Sequence, residues 1–448
     1  MVNQIVGAGM DTLNKKFIKY ISQNVFAMIG MSCYIIADTF FISKAAGTDG
    51  ITVLNLALPL YGVIFAIGAM IGVGSATRFA IAKERDGQDV HRYFSNAIIY
   101  DIIIGAVISL IGFFFTEQIM KIMGADSTII KAGIGYNRVF LVFAPAFMIN
   151  YTVTGFVRND KDSGLAMCAT LISCIANVIL DYIFMFPMKM GMKGAALATS
   201  ISPVISILIN SAHFFKRRNS VRFRRITLSP KLLISSCGLG FSAFISEISS
   251  AVTTTVFNFI LLNISGNTAV AAYGVVANFA LVATAVFNGT AQGNQPLLSE
   301  EFGKGNKDGV KRLLRNVIIT ALFLAVIIIS MVYIFTTPFV ELFNSDNSSE
   351  LACMAYKGMR IYFTGFIFAS VNIIGSSYFA ATEKAKPAFV ISTLRGVVLN
   401  IAAAFILSGF MGINGVWASF AVAELITFFV TLLFIIKTSK REKKSERN

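Results

Sequence analysis

Apolar runs long enough to cross a bilayer repeat along the whole of this 448-residue chain. Twelve are read, at about residues 17–43, 51–80, 94–115, 133–157, 164–186, 194–215, 232–262, 271–298, 316–337, 354–379, 388–409 and 415–436. Each has the length that a tilted membrane helix needs. Strands of a membrane barrel would be much shorter and would alternate apolar with polar residues. A hydrophobic fraction of 56%, a mean hydropathy of +0.72 and only 14% charged residues agree with a polytopic membrane protein rather than a large soluble core.

The net charge of +15 could point to nucleic acid, but its placement excludes that reading. Twenty-eight Lys and Arg fall in the N-terminal segment, in segments 81–93, 158–163, 216–231, 299–315 and 380–387, and in the C-terminal tail. Five (Lys44, Lys121, Lys131, Lys189 and Lys193) fall in the segments on the other side. Cytoplasmic loops carry the excess of Lys and Arg, so both termini are expected in the cytoplasm. Met1 to Tyr20 carries Lys15, Lys16 and Lys19 without a short apolar core and cleavage site, so the first span is expected to stay as a helix. Five cysteines show no CxxC and no metal spacing. The tail from Lys437 to Asn448 is expected to face solvent or lipid headgroups.

The two halves echo one another. Asn159-Asp160-Lys161, Asn177 and Met190-Gly191-Met192-Lys193-Gly194 are answered by Thr382-Glu383-Lys384, Asn400 and Met411-Gly412-Ile413-Asn414-Gly415. Ser95-Asn96-Ala97-Ile98 pairs with Arg315-Asn316-Val317-Ile318 at nearly the same offset. Six helices per half insert both copies the same way up, as in transporters built on parallel repeats. The expected fold is all-α and polytopic: twelve transmembrane helices in two pseudo-symmetric six-helix lobes around a central cleft. The lobes are set at residues 17–215 and 232–436. A cytoplasmic N-terminus (1–16), a basic cytoplasmic linker (216–231) and a basic tail (437–448) complete the division.

Two acids lie deep in apolar spans: Asp38 in the first and Asp181 in the fifth. Such residues are costly and face a cavity, a partner or an ion path. Asp38, Asp181 and Thr199 each lie about five residues from the outer end of their spans, ~8 Å inside the boundary at ~1.5 Å per residue. Tyr34 and Asp38 are spaced i, i+4, and so are Asn177 and Asp181, so each pair projects from one helix face. The five could line a polar chamber that takes up a proton, because two adjacent carboxylates cannot both ionise readily. With the oxygens of Asn177 and Thr199, the same set could hold Na⁺ instead. A buried hydrogen-bond network that fixes helix packing is the alternative.

The second half keeps Asn400 but has Ala404 one turn later, and Phe257 near the position of Asp38. It adds Glu247, in Ser246-Glu247-Ile248-Ser249, as a cavity-facing acid. Glu247, Ser246, Asn150 and Asn372 are the candidates for contact with a transported substrate. Glu424, Arg395 and Arg138 are expected in structural ion pairs, and Asp101 is expected to snorkel to a cytoplasmic end.

Signals for an enzyme are poor. His91 and His213 are not placed for catalysis, and Gly303-Lys304-Gly305-Asn306-Lys307 lacks the spacing of a P-loop. No resident cofactor is expected, and the driving energy should come from an ion gradient.

The chain resembles the multidrug and toxic compound extrusion (MATE) family. The resemblance rests on Ala37-Asp38-Thr39-Phe40-Phe41, Asn177-x-x-x-Asp181, Gln292-Gly293-Asn294-Gln295-Pro296 and the loop Glu301-Phe302-Gly303-Lys304-Gly305-Asn306. The acids of the first lobe suggest its DinF/MepA-like branch. The resemblance implies an antiporter, coupled to H⁺ or Na⁺, that exports lipophilic and often cationic drugs. It implies Asp38, Asn177, Asp181 and Thr199 as the cation site, with Tyr34 beside them. It also implies a multi-pass protein of the bacterial cell (inner) membrane that acts as a monomer on small molecules within the lipid bilayer, with no nucleic-acid partner. A flippase for lipid-linked precursors from the same superfamily is the alternative, with a cationic cavity for phosphate as its mark. A membrane sensor or scaffold would need a soluble relay domain.

Overall fold

A computed structural model describes residues 2–85, 90–216, 219–224, 228–343 and 348–445. Parts of the basic linker (217–218 and 225–227) and the end of the tail (446–448) lie outside the described residues. Among those described, the chain is helical with no strand: α1 Val2–Arg85, α2 His91–Ile122, α3 Ser127–Val142, α4 Ala144–Asn159, α5 Ser163–Met185 and α6 Met192–Ser211. Then follow α7 Pro230–Gly303, α8 Lys307–Phe343, α9 Ser349–Phe363, α10 Phe366–Ala381, α11 Ala385–Thr393, α12 Leu399–Met411 and α13 Ile413–Ser445. A backbone in lipid must satisfy its own polar groups, which is why the apolar runs are helices.

Nine helices among the described residues are long and apolar enough to cross a membrane, and eleven spans result when each bent pair is taken as one. The 74-residue α7 is a single member of that count, but it turns at Ser265–Gly266 into two arms. Dividing it there gives twelve. Two spans expected to be continuous are bent instead: α3 meets α4 at 44° and α9 meets α10 at 46°. Pro145 at the start of α4 accounts for the first bend, since proline has no amide to continue the preceding helix. The outward faces are apolar, with Phe114 65%, Leu433 66% and Phe410 85% exposed, as a lipid-facing surface requires.

The repeat is written in the backbone. Gly191 (φ 53°, ψ −135°) caps the start of α6, and Gly412 (φ 56°, ψ −135°) takes the same conformation between α12 and α13. Lys161 and Glu383, each the second residue past the end of α4 and of α10, both take positive φ. Phe115 in α2 and Phe335 in α8 share one departure from helical geometry. Gly47 and Gly266 turn the first and seventh spans into their successors.

The chain forms two compact units, residues 1–248 with 299–306, and residues 249–298 with 307–448. In the first unit the core runs through Ile42, Val53, Phe79, Tyr136, Phe140 and Phe156, all fully buried. One end of this unit is tied by a clasp of charge. Asp160, in the turn after α4, accepts from Lys83 Nζ at 2.6 Å, from His213 Nε2 at 2.8 Å and from the Ser220 amide at 2.7 Å. The other imidazole nitrogen, His213 Nδ1, meets Asp162 Oδ2 at 3.0 Å.

In the second unit, Arg395 Nη2 pairs with Glu424 Oε1 at 2.8 Å, as expected of a structural ion pair. Asn372 donates to Glu424 Oε2 at 2.7 Å and accepts from Thr431 at 2.8 Å. Arg395 lies in a π-helical segment, Leu394–Val398, which interrupts the eleventh span. Arg138, in contrast, is exposed and stacks over Phe113 at 5.7 Å.

Candidate functional site

Asp38 sits on the first arm of α1 and Asp181 one turn before the end of α5. Their carboxyls lie close enough to interact directly, with Asp38 8% and Asp181 0% exposed. Asn177 is also fully buried. Its amide nitrogen points at Asp181 Oδ2 at 3.1 Å and its oxygen at the Thr199 backbone N–H at 3.2 Å, the orientation that satisfies both atoms. Thr199 therefore meets Asn177 through its main chain, and its hydroxyl oxygen is buried with no hydrogen-bond partner. Asp38 Oδ1 and Asp181 Oδ1 are likewise without partners. Tyr34, half-buried, lies close enough to feel the charge of both acids.

Two carboxyls can hydrogen-bond only if one supplies a hydrogen, because an ionised carboxylate is an acceptor alone. A hydrogen held on either acid would therefore let the two bond across their helices. The three orphaned oxygens are the atoms that could turn to a bare cation.

The candidates for substrate contact are dispersed. Glu247, in the first arm of α7, accepts from the Tyr151 hydroxyl at 3.4 Å within the first unit. Asn150 accepts from Thr154 at 3.3 Å, and Thr154 accepts from Asn210 at 3.2 Å, which joins α4 to α6. Ser246 is half-buried beside Glu247. Asn372 belongs to the second unit, fully buried on Glu424 and Thr431. There, Asn400 donates to Thr253 at 3.0 Å, and the positions answering Asp38 and Asp181 are the fully buried Phe257 and Ala404.

Sequence reading missed three tyrosines. Tyr61 and Tyr136 share a short hydrogen bond, hydroxyl to hydroxyl, within electrostatic reach of Asp38. Tyr151 holds Glu247. A phenol inside an apolar span was the available signal. Asp101, expected to snorkel, is instead fully buried. Its helix turns it inward onto α4, where Thr152 donates to it at 2.6 Å.

The family model described as MatE matches residues 24–183 and again 242–406, once in each half. The chain belongs to the MatE family. Among its relatives, the multidrug export protein MepA of Staphylococcus saprophyticus is 26% identical over 405 residues, 90% of this chain and 89% of the relative. MepA of Staphylococcus aureus strain MRSA252 is 26% identical over the same shares. Among solved structures, an outward-facing multidrug resistance MATE family transporter of the MOP superfamily superposes with a TM-score of 0.89 at 21% identity, covering 96% of this chain and 97% of that one. A Vibrio cholerae MATE transporter superposes at 0.88 with 20% identity, covering 96% and 98%. The MatE fold thus extends over nearly the whole chain, and the doubled match agrees with the backbone repeat.

Proposed function

We propose that this chain is a multidrug exporter of the bacterial cell membrane, an ion-coupled antiporter for lipophilic and often cationic compounds that works by alternating access. The observation that carries the coupling is the close approach of two buried carboxyls, Asp38 and Asp181, on different helices. The names of the relatives support the substrate class. The two lobes are residues 17–215 and 232–436, joined by the basic linker 216–231. The excess of Lys and Arg in one set of loops argues for both termini in the cytoplasm. The molecule acts as a monomer on small molecules, without chemistry on them.

Proton binding at the pair joins α1 to α5, and proton loss sets two negative charges against each other. A gradient biases one conformation only through such differential affinity. Two carboxyls that approach without a cationic side chain between them favour H⁺ as the coupling ion. Na⁺ is the second reading, favoured by the orphaned Asp38 Oδ1, Asp181 Oδ1 and Thr199 Oγ1.

Efflux of ethidium from proteoliposomes under separate pH and Na⁺ gradients distinguishes the two. Asp38→Asn and Asp181→Asn should each abolish efflux with protein levels intact. Undiminished efflux in both variants would sink the assignment.

A further inference from the structure

Asp101 is a buried acid that the coupling pair leaves unused. It lies ten residues into α2, and Thr152 lies seven residues before the end of α4, so both sit ~10–15 Å from the end of the unit that carries the charge clasp. Asp181 lies eighteen residues from that end of α5, ~27 Å along the helix. The two acid levels are therefore separated by roughly 15 Å of helix.

The surroundings of Asp101 are tight and almost uncharged. Thr152 Oγ1 donates to its Oδ2, and its Oδ1 is buried with no hydrogen-bond partner. From another element, the Cys237 thiol of α7 is a titratable group within electrostatic reach of it. Among the described residues, no Lys, Arg or His pairs with it. Helix backbones pack closely along this stretch of α4. A Cβ on Gly72 would lie 2.8 Å from the Thr152 amide nitrogen, and one on Gly105, a turn past Asp101, 2.6 Å from Pro145 Cα. Asp101 is fully buried, and an ionised carboxylate with one hydroxyl for company is strongly disfavoured.

The neighbouring residue on α4 makes the same kind of contact in another direction, because Tyr151 donates to Glu247 on α7. One stretch of α4 thus holds two membrane-embedded carboxyls, on α2 and α7, through adjacent hydroxyls. A shift of α4 would part both contacts.

The geometry points to Asp101 as a second proton-binding site of the transport cycle, held closed by Thr152 and distinct from the Asp38–Asp181 pair. In the packed state the carboxyl keeps its O–H. When α4 withdraws Thr152 and water enters, the O–H bond breaks, the electron pair stays on the carboxylate and the proton passes to water. Repacking requires that the proton return. This inference rests on the ion-coupled reading above.

The first test needs no substrate. Infrared spectra of the protein in lipid, titrated with pH, report the C=O stretch of protonated carboxyls. Asp101→Asn should remove one pH-dependent component that Asp38→Asn and Asp181→Asn leave in place. Thr152→Val should keep that component and shift its frequency, which serves if Asp101→Asn fails to fold. A titration of Asp101→Asn that overlays the wild type, or of Thr152→Val where it stands in, overturns the assignment. So does a component that never titrates.

The second test is ethidium efflux. Asp101→Asn should lower proton-driven efflux about tenfold or more, within the range of coupling between sites. It should also flatten the dependence on pH at the clasp-bearing side, and Asp101→Glu should restore both. If Asp38→Asn and Asp181→Asn abolish efflux while Asp101→Asn keeps the wild-type pH profile, this inference alone fails. If the pair variants are silent and Asp101→Asn flattens the profile, the reading of the pair fails and this one stands.

Discussion

Gly74 and Gly240 meet where the second arm of α1 crosses the first arm of α7, and neither has room for a methyl group. A Cβ on Gly74 would overlap the Ser236 carbonyl, and one on Gly240 would overlap the Met70 carbonyl. Both obstacles are main chain, so no side-chain rotation relieves them. Membrane helices approach this closely only through small residues, which supply van der Waals contact where lipid removes the hydrophobic drive.

Gly74→Ala and Gly240→Ala should therefore each destabilise the protein by about 1–3 kcal/mol, the usual cost of overpacking. Gly238→Ala is the control, since nothing lies within 4 Å of a Cβ there. Melting temperatures in detergent should fall for the first two and hold for the third. Equal melting in all three would show that the crossing yields.

The clasp at Asp160 has a pH signature. Burial alone would push its carboxyl up, but hydrogen bonds from His213, Lys83 and the Ser220 amide hold it below the usual aspartate value. A depressed folded value means stability that is present above the unfolded pKa of about 4 and lost as pH falls through the folded one. Asp160→Asn should cost about 1–3 kcal/mol at neutral pH. The gap from the wild type should narrow below about pH 4, as melting across pH 3 to 8 would report. A gap constant across that range would contradict the clasp.

Breaking the ion pair of the second unit should be worse than removing it. Glu424→Gln leaves the Arg395 guanidinium without its counter-charge and should cost about 3–5 kcal/mol. The double variant Arg395→Met, Glu424→Leu should regain most of that loss, as melting of the three proteins would show. Parallel losses in single and double variants would mean that packing, not charge, sets the cost.

Gly191 and Gly412 should respond alike. Both hold a positive φ that a side chain strains, with nothing within 4 Å of a Cβ. Alanine at either should cost about 1 kcal/mol, and the two together the sum. Markedly unequal losses would show that the two turns bear different loads.

The apolar runs made the spans legible, and the paired acids made the site conspicuous. The i, i+4 spacing also put Tyr34 with Asp38 and Asn177 with Asp181 on shared faces, and Asn177 reaches Asp181 across one turn. The rotation of one helix against its neighbours was not legible. Each residue turns the face by about 100°, so whether Asp101 meets lipid or Thr152 depends on packing between α2 and α4. The same limit hid Tyr61, Tyr136 and Tyr151. The bend between α3 and α4 had a written cause in Pro145, whereas the matching bend near Gly365 has no proline.

The turns that join helices recur from one half to the other although the side chains around them differ. Side chains drift freely once two copies share one chain, but the turns that join helices tolerate little change, so conformation outlasts composition. A pair of separate identical chains would have to carry acids in both partners or in neither. Two halves in one chain carry no such obligation, and here one holds Asp38 and Asp181 where the other holds Phe257 and Ala404.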